Sequence, residues 1–197
     1  MDGVRVLRAD DPRAPALAGA GWRVLARSWA AELDLTRIDA PHLGGLVDRA
    51  TGAGFTIRAL RKADVADVLA LDAATAGDYV GGPASAHDRL TPESAAVGAG
   101  RLGFGAFAPS GELIGMTYLD VTEGRPIVEV DFTVVAGEHR GRGLATALKA
   151  FAVLELARRG LRSVRTGGSA DNPASVGANA RVGFVVDEHW LTLAPPA

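Results

Sequence analysis

The chain has 197 residues, 48% hydrophobic and 22% charged, the balance of a soluble globular protein with one substantial core, or one domain plus an appendage. Its 23 acidic and 21 basic side chains leave a net charge of −2, which gives no electrostatic footing for a nucleic-acid or membrane partner. The absence of cysteine excludes disulfides, thiolate nucleophiles and thiolate metal sites. The four histidines, His42, His87, His139 and His189, lack ligand spacing, so no metal is expected. No apolar run approaches the ~20 residues that span a bilayer. The first residues, with Asp2, Asp10 and Asp11, do not look like a signal peptide, and a cytoplasmic location is expected.

Residues 1–54 stand apart from the rest. Trp22, Val24, Leu25, Trp29, Leu33 and Leu35 predict one strand or two short ones, and residues 42–50 predict a short helix ending near Gly52. This is too little apolar material for a separate domain, so the segment is expected to be an extension that borrows its core. A domain over residues 55–197 then begins with a strand at 56–60 and a helix at 63–74 that carries Val65, Val68, Leu69 and Leu71. Residues 77–92, with Gly81-Gly82-Pro83, Ser85, Asp88 and Pro92, predict a connector. At its end Thr91-Pro92-Glu93-Ser94 has the form of a helix start: a cap, a proline and an acid in the first turn. Residues 102–108 and 112–121 predict an antiparallel pair around Pro109-Ser110-Gly111, with Gly115 a candidate bulge.

The alternation over residues 127–135 predicts the next strand. Glu129, Asp131 and Thr133 share a parity, which places all three on one face. Carboxylates in a central strand are costly to bury unless something uses them, the alternative being the solvated face of an edge strand. After the break at residues 136–139 comes the loop Arg140-Gly141-Arg142-Gly143-Leu144-Ala145. A helix follows, with Leu144, Ala147, Leu148, Phe151 and Leu154 as its apolar stripe and Gly160 as its stop. Strand, glycine-bearing turn and helix together make an anion site. The first N–H groups of the helix lack intrahelical partners, and the glycines let a phosphate approach the main chain. The Walker pattern fails because Leu144-Ala145, not Lys-Ser or Lys-Thr, follows the second glycine. The dinucleotide fingerprint fails because Thr146 stands three residues after Gly143. A strand around Val164, a helix over 173–182 and closing strands over 185–193 complete a mixed α/β fold whose sheet is mainly antiparallel and flanked by helices.

Arg140, Gly143 and Ala145 fill the places of the pyrophosphate loop of the GNAT acetyltransferase superfamily, and residues 133–149 resemble that family along their length. A second stretch, Thr166, Asn172, Ser175, Asn179 and Val182-Gly183-Phe184, resembles its closing motif as found in actinobacterial-type members similar to mycothiol synthase, with Ser175 in place of Met and Val182 in place of Leu. Gly21-Trp22 and the run after it resemble the tail of a preceding GNAT unit, so residues 1–54 are expected as a remnant that adds a strand or clasp to the sheet, or to a partner in a homodimer.

The resemblance implies acetyl-CoA as donor and a primary amine of a small molecule or peptide as acceptor. It implies that the main chain of Thr133, Val134 and Val135 pairs with the pantetheine arm, and that Arg140, Gly141, Arg142, Gly143, Leu144, Ala145 and Thr146 take the pyrophosphate. The Arg142 side chain either pairs with a phosphate or is a solvated arginine. An amine must lose a proton before attack, and the resemblance implies Glu129 as the base, ahead of Asp131. Many relatives carry a tyrosine acid where this chain has Asn179, which cannot donate a proton as an acid. Tyr118 is the substitute, unless it is a core residue. Asn172 and Asn179 are implied as cofactor contacts, Asn172 alternatively as the cap of the helix that starts at Pro173. The departure at Asn179 leaves a second expectation, a catalytically degenerate module that binds acetyl-CoA as a sensor.

Overall fold

The computed structural model describes residues 3–78, 87–125 and 127–196. In chain order its elements are β1 (Arg5–Arg8), α1 (Arg13–Gly19), β2 (Arg23–Asp34), α2 (Ala40–Gly52), β3 (Thr56–Ala59), α3 (Val65–Thr75), α4 (Pro92–Ala95), β4 (Arg101–Phe107), β5 (Leu113–Val121), β6 (Ile127–Val135), α5 (Leu144–Arg158), β7 (Ser163–Ser169), α6 (Pro173–Val182) and β8 (Val185–Ala194). The strands form one sheet in the order β1-β8-β2-β7-β6-β5-β4-β3. Consecutive strands joined by short turns pair antiparallel. β6 and β7 are parallel because the chain must cross through α5 to pass from one to the other. Helices cover both faces. On one face Leu43 and Leu46 of α2 and Leu144, Leu148 and Leu156 of α5 pack with Ile114, Leu119 and Val128. On the other, Val68 and Leu71 of α3 and Ala95 of α4 pack with Met116, Tyr118, Phe132 and Val134.

The segment before Phe55 contributes two strands to this sheet, β1 at its edge and β2 in its interior. β2 is a single continuous strand, with irregularities in its pairing at Val24/Ala26 and Ala30/Ala31, and it runs between β8 on one side and β7 on the other. Trp29 is 4% exposed and its indole N–H donates to the Ser169 carbonyl at 3.1 Å. β1 and α1 have no counterpart in the sequence reading. β1 is four residues long and continues the sheet beyond β8, and α1 buries no side chain, so neither carries the apolar periodicity that pattern reading needs.

The helix start at Thr91 forms as expected. Thr91 Oγ1 accepts from the Ser94 N–H and Ser94 Oγ from the Thr91 N–H, although the helix spans only one turn. Residues 79–86 of the connector lie outside the described residues. Its described end is held by Asp72 of α3, which accepts from the Leu90 N–H at 3.0 Å and meets the His87 imidazole at 3.0 Å. The irregularity between β4 and β5 falls at Ile114, one residue before Gly115, because Ala106 pairs with Gly115 and Phe107 with Leu113.

A second irregularity, between β5 and β6, changes the expected geometry. Tyr118 pairs with Phe132 and Leu119 with Val130, so Asp131 has no counterpart on β5. One unpaired residue reverses the alternation on the bulged strand. Glu129, Asp131 and Thr133 therefore do not share a face. Val130 and Val135 pack with the α5 side and Phe132 and Val134 with the α3 side, which places Thr133, between Phe132 and Val134, toward α5.

At the start of α3, Asp64 is 8% exposed and accepts two bonds from Arg58 (2.7 and 2.8 Å) and one from the Arg61 N–H (2.7 Å). The Arg58 guanidinium is the main cause that holds its carboxyl below the usual range. Such a depressed group stabilises the fold above its unfolded pKa, and that contribution is lost as pH falls through the folded one. Thermal melts from neutral to acid pH should therefore show an acid-labile increment that disappears in Asp64→Asn, which should itself cost about 1–3 kcal/mol at neutral pH.

Candidate active site

β6 and β7 pair only at Ile127 with Ser163, Val128 with Val164 and Glu129 with Arg165. Beyond that point each strand keeps its other neighbour. β6 stays on β5 as far as Val135, and β7 stays on β2 as far as Ser169. A wedge thus opens in the middle of the sheet, and the edge of β6 that faces it, from Val130 to Val135, has no strand beside it. Main-chain donors and acceptors along such an edge are a template for an added extended segment.

The start of α5 follows this edge. A 3₁₀ turn over Gly137–His139 leads to Arg140. The Arg140 Nε donates to the Val135 carbonyl at 2.9 Å, and its guanidinium pairs with Asp78. The side chain of Arg140 therefore latches the loop to the end of β6 and to the chain after α3. Gly141 (φ 74°) and Gly143 (φ 78°) take left-handed conformations, which cost a residue with a Cβ roughly 1–2 kcal/mol. Gly143 is the N-cap and supplies no side chain to close the helix end. The first bond of the helix runs from the Ala147 N–H to the Gly143 carbonyl at 2.9 Å, so the N–H groups of Leu144, Ala145 and Thr146 have no acceptor within α5. Arg142 is exposed and makes no ion pair among the described residues. An uncapped helix start, two glycines and a free guanidinium together suit a phosphate group.

The far side of the wedge is β7 and α6. Asn172 caps α6 by accepting from the Ser175 N–H at 3.0 Å. Asn179 is 2% exposed. Its amide donates to the Ser175 carbonyl at 2.9 Å, whereas its Oδ1 is buried and has no partner among the described residues. A buried acceptor without a donor is costly.

The candidate acids and bases separate clearly. Glu129, at the point where β6 and β7 part, is exposed and has no hydrogen bond or ion pair among the described residues. Asp131 is tied to Arg101 at 2.7 Å, and Arg101 also holds Asp120 at 2.6 Å. Thr133 shares a 2.8 Å hydrogen bond with Thr117. Tyr118 is fully buried, its hydroxyl donates to the Ala95 carbonyl at 2.8 Å, and burial pushes its pKa up to about 12. It is a core residue that spends its proton on α4, not the acid expected of it. His139, at the end of the 3₁₀ turn before the loop, is mostly enclosed. Its side chain is 18% exposed and its Nδ1 is buried without a partner among the described residues.

Lys149 escaped the sequence reading. It is 7% exposed, and burial alone pulls its pKa down to about 8. It borders a small cavity with Thr117, Leu119, Val130, Ala152, Val153, Val164 and Phe184. The available signal was its spacing. Ala152 and Val153 lie three and four residues on, so Lys149 shares the face of α5 that they bury. A larger cavity of ≈ 290 Å³ lies away from the wedge, beside β3, β4 and Arg159 past the other end of α5. Among the described residues no cluster of three His, Asp or Glu side chains is placed to hold a metal, and no helix is long and apolar enough to cross a membrane.

Three comparisons bear on this geometry. Residues 77–184, more than half the chain, match the model of the Acetyltransferase (GNAT) family. A search of curated proteins returned no match in sequence. Among solved structures, a tandem GNAT protein from the clavulanic acid biosynthesis pathway is similar at TM-score 0.64 and 24% identity, over 96% of this chain and 62% of that one. A GCN5-related N-acetyltransferase from Sphaerobacter thermophilus is similar at TM-score 0.69 and 18% identity, over 98% of this chain and 60% of that one. Another, from Kribbella flavida, gives TM-score 0.67 and 15% identity, over 98% and 68%. The chain thus spans about three fifths of the length of the first two. At these identities the likeness establishes the fold, a mixed eight-stranded sheet flanked by helices.

Proposed function

This chain belongs to the GNAT acetyltransferase family, and we propose that it transfers an acetyl group from acetyl-CoA to a primary amine of a small molecule or peptide by direct attack in a ternary complex. The observation that carries the reading is the meeting of two features at one place. An unpaired strand edge at Val130–Val135 runs into an uncapped, glycine-flanked helix start at Gly143. The pantetheine arm pairs with that edge as an extra strand, and the pyrophosphate takes the free N–H groups of residues 144–146, with Arg142 beside them. The orphaned Asn179 Oδ1 accepts from an amide of the arm.

Glu129 is the base of this reading. Its carboxylate is exposed and unengaged where the wedge begins, whereas Asp131 is neutralised by Arg101. An alkyl amine titrates near ~10, so at neutral pH its ammonium must lose a proton, directly or through water, before it attacks the thioester carbonyl. Asn179 in the place of an acidic hydroxyl favours a second reading, a member that binds acetyl-CoA without transferring the acetyl group.

Calorimetric titration with acetyl-CoA, CoA and ATP tests the donor site. Acetyl-CoA and CoA should bind and ATP should bind far more weakly. Gly143→Val should abolish the binding while the protein still unfolds cooperatively, because the left-handed cap cannot form without strain. A folded wild-type protein that binds neither acetyl-CoA nor CoA would remove the proposal. Turnover with a panel of amines separates enzyme from sensor.

A further inference from the structure

Lys149 projects from the second turn of α5 into a cavity of ≈ 10 Å³, the smallest that admits a single water. Two of its walls, Val130 and Val164, flank the last parallel pair, Glu129 with Arg165. The cavity thus sits directly beneath the point where β6 and β7 part. Every other wall is uncharged: Thr117 and Leu119 of β5, Ala152 and Val153 of α5, and Phe184 ahead of β8.

Among the described residues no titratable group from a neighbouring element shares this space. Glu129 and Asp131 lie on the opposite face of β6, where Asp131 pairs with Arg101, and Arg165 of β7 is engaged with Glu32, Asp187 and Glu188. On α5 itself Glu155 pairs with Arg158, and α2 meets α5 through Leu43, Leu46 and Ala50. Lys149 has no hydrogen bond or ion pair among the described residues. Burying an ammonium without a counter-charge costs several kcal/mol, so the charged form is favoured here only when negative charge develops beside it.

Resting on the acetyl-transfer reading, we propose that Lys149 is the general acid of the reaction, donating a proton to the departing thiolate. The ammonium first loses one proton through Glu129 to solvent; the neutral amine nitrogen then forms its bond to the thioester carbonyl carbon, and the second proton that the nitrogen sheds passes to the again-ionised Glu129. When the tetrahedral oxyanion collapses, the carbon–sulfur bond breaks and its electron pair goes to sulfur. Sulfur takes a proton from the Lys149 ammonium, leaving amide, free thiol, protonated Glu129 and a neutral lysine. Glu129, which is exposed, returns its proton to solvent, and Lys149, which is enclosed, regains one through the wedge once the products have left. Tyr118 cannot perform this step because its proton is committed to Ala95, and Asn179 has none to give. A lysine titrating at about 8 is still mostly protonated at neutral pH and gives up its proton more readily than an ordinary amine.

The test compares wild type with Lys149→Met and Lys149→Arg in three measurements: acetyl-CoA binding, turnover across pH, and thermal stability across pH. Wild-type turnover should decline as pH rises through about 8 as the acid is lost. Lys149→Met should bind acetyl-CoA as wild type does, lose roughly 10²-fold in turnover and lack that decline. Lys149→Arg keeps the charge but holds its proton too firmly to donate it, and should be equally impaired.

Stability supplies an independent readout. A lysine whose folded pKa is depressed binds its proton more tightly in the unfolded chain, so stability rises with pH between the folded and unfolded values. Wild type should show that rise and Lys149→Met should not. Full turnover in either variant, or an unchanged alkaline decline in Lys149→Met, overturns the acid role. A wild-type protein that neither binds acetyl-CoA nor turns it over fails the underlying reading instead.

Discussion

A chain that begins at Phe55 should not fold. Removing residues 1–54 takes β2 out of the sheet, leaving β7 and β8 each without the neighbour that β2 supplies over residues 23–34. It also takes Trp29, Leu33, Leu35, Leu43, Leu46 and Ala50 from the core layer that covers α5. No rearrangement of the remaining strands replaces that apolar surface, and two unsatisfied edges meeting across a gap favour aggregation. Trp29→Ala, a milder version of the same loss, should cost about 3–5 kcal/mol and release the hydrogen bond to Ser169. Circular dichroism melts of the truncated and substituted chains check both. A cooperative transition in the truncated chain close to that of the full one would mean that residues 1–54 are a removable clasp.

Glu129→Gln should lower turnover by about 10²–10⁴-fold with acetyl-CoA affinity unchanged. The glutamine keeps the shape of an exposed, unengaged side chain and removes only its capacity to accept a proton. Asp131→Asn serves as the internal comparison. Its carboxylate is engaged with Arg101, which keeps a second partner in Asp120, so the loss there should be in stability more than in rate. Steady-state kinetics on both variants decides the assignment. Unchanged turnover in Glu129→Gln would overturn the assignment of Glu129 as the base.

What was legible in the chain was what local chemistry determines. The strand at 127–135, the glycine turn and the helix from Leu144 follow from periodicity, from positive φ at Gly141 and Gly143, and from a stop at Gly160. The helix start at Thr91 and the Asn172 cap likewise depend on residues within one turn. Features set by partners far along the chain were not legible. The bulge at Asp131 exists only relative to β5, and it undoes the shared face inferred from parity alone. Arg140 meets Asp78 across 62 residues of sequence, so its latch could not be read from the loop motif. Lys149 defeats local inference for another reason. A lysine is ordinarily a surface residue, and only the fold shows it enclosed.

The position of β2 has a further consequence for the order in which the molecule can assemble. Trp29 bonds to a carbonyl 140 residues further along, and both of β2's neighbours, β7 and β8, lie far downstream of it in the chain. As the chain leaves the ribosome, β2 has no docking place until β7 and β8 have followed it. The helix pair α2 and α5 and the strands from β3 to β6 can gather earlier, but the sheet stays split beside β7 until the N-terminal strand threads in. Pairings of such long sequence separation fold slowly, and until they close, the apolar stripe of β2 is exposed to other copies. The completed wedge between β6 and β7 therefore belongs to the final stage of folding.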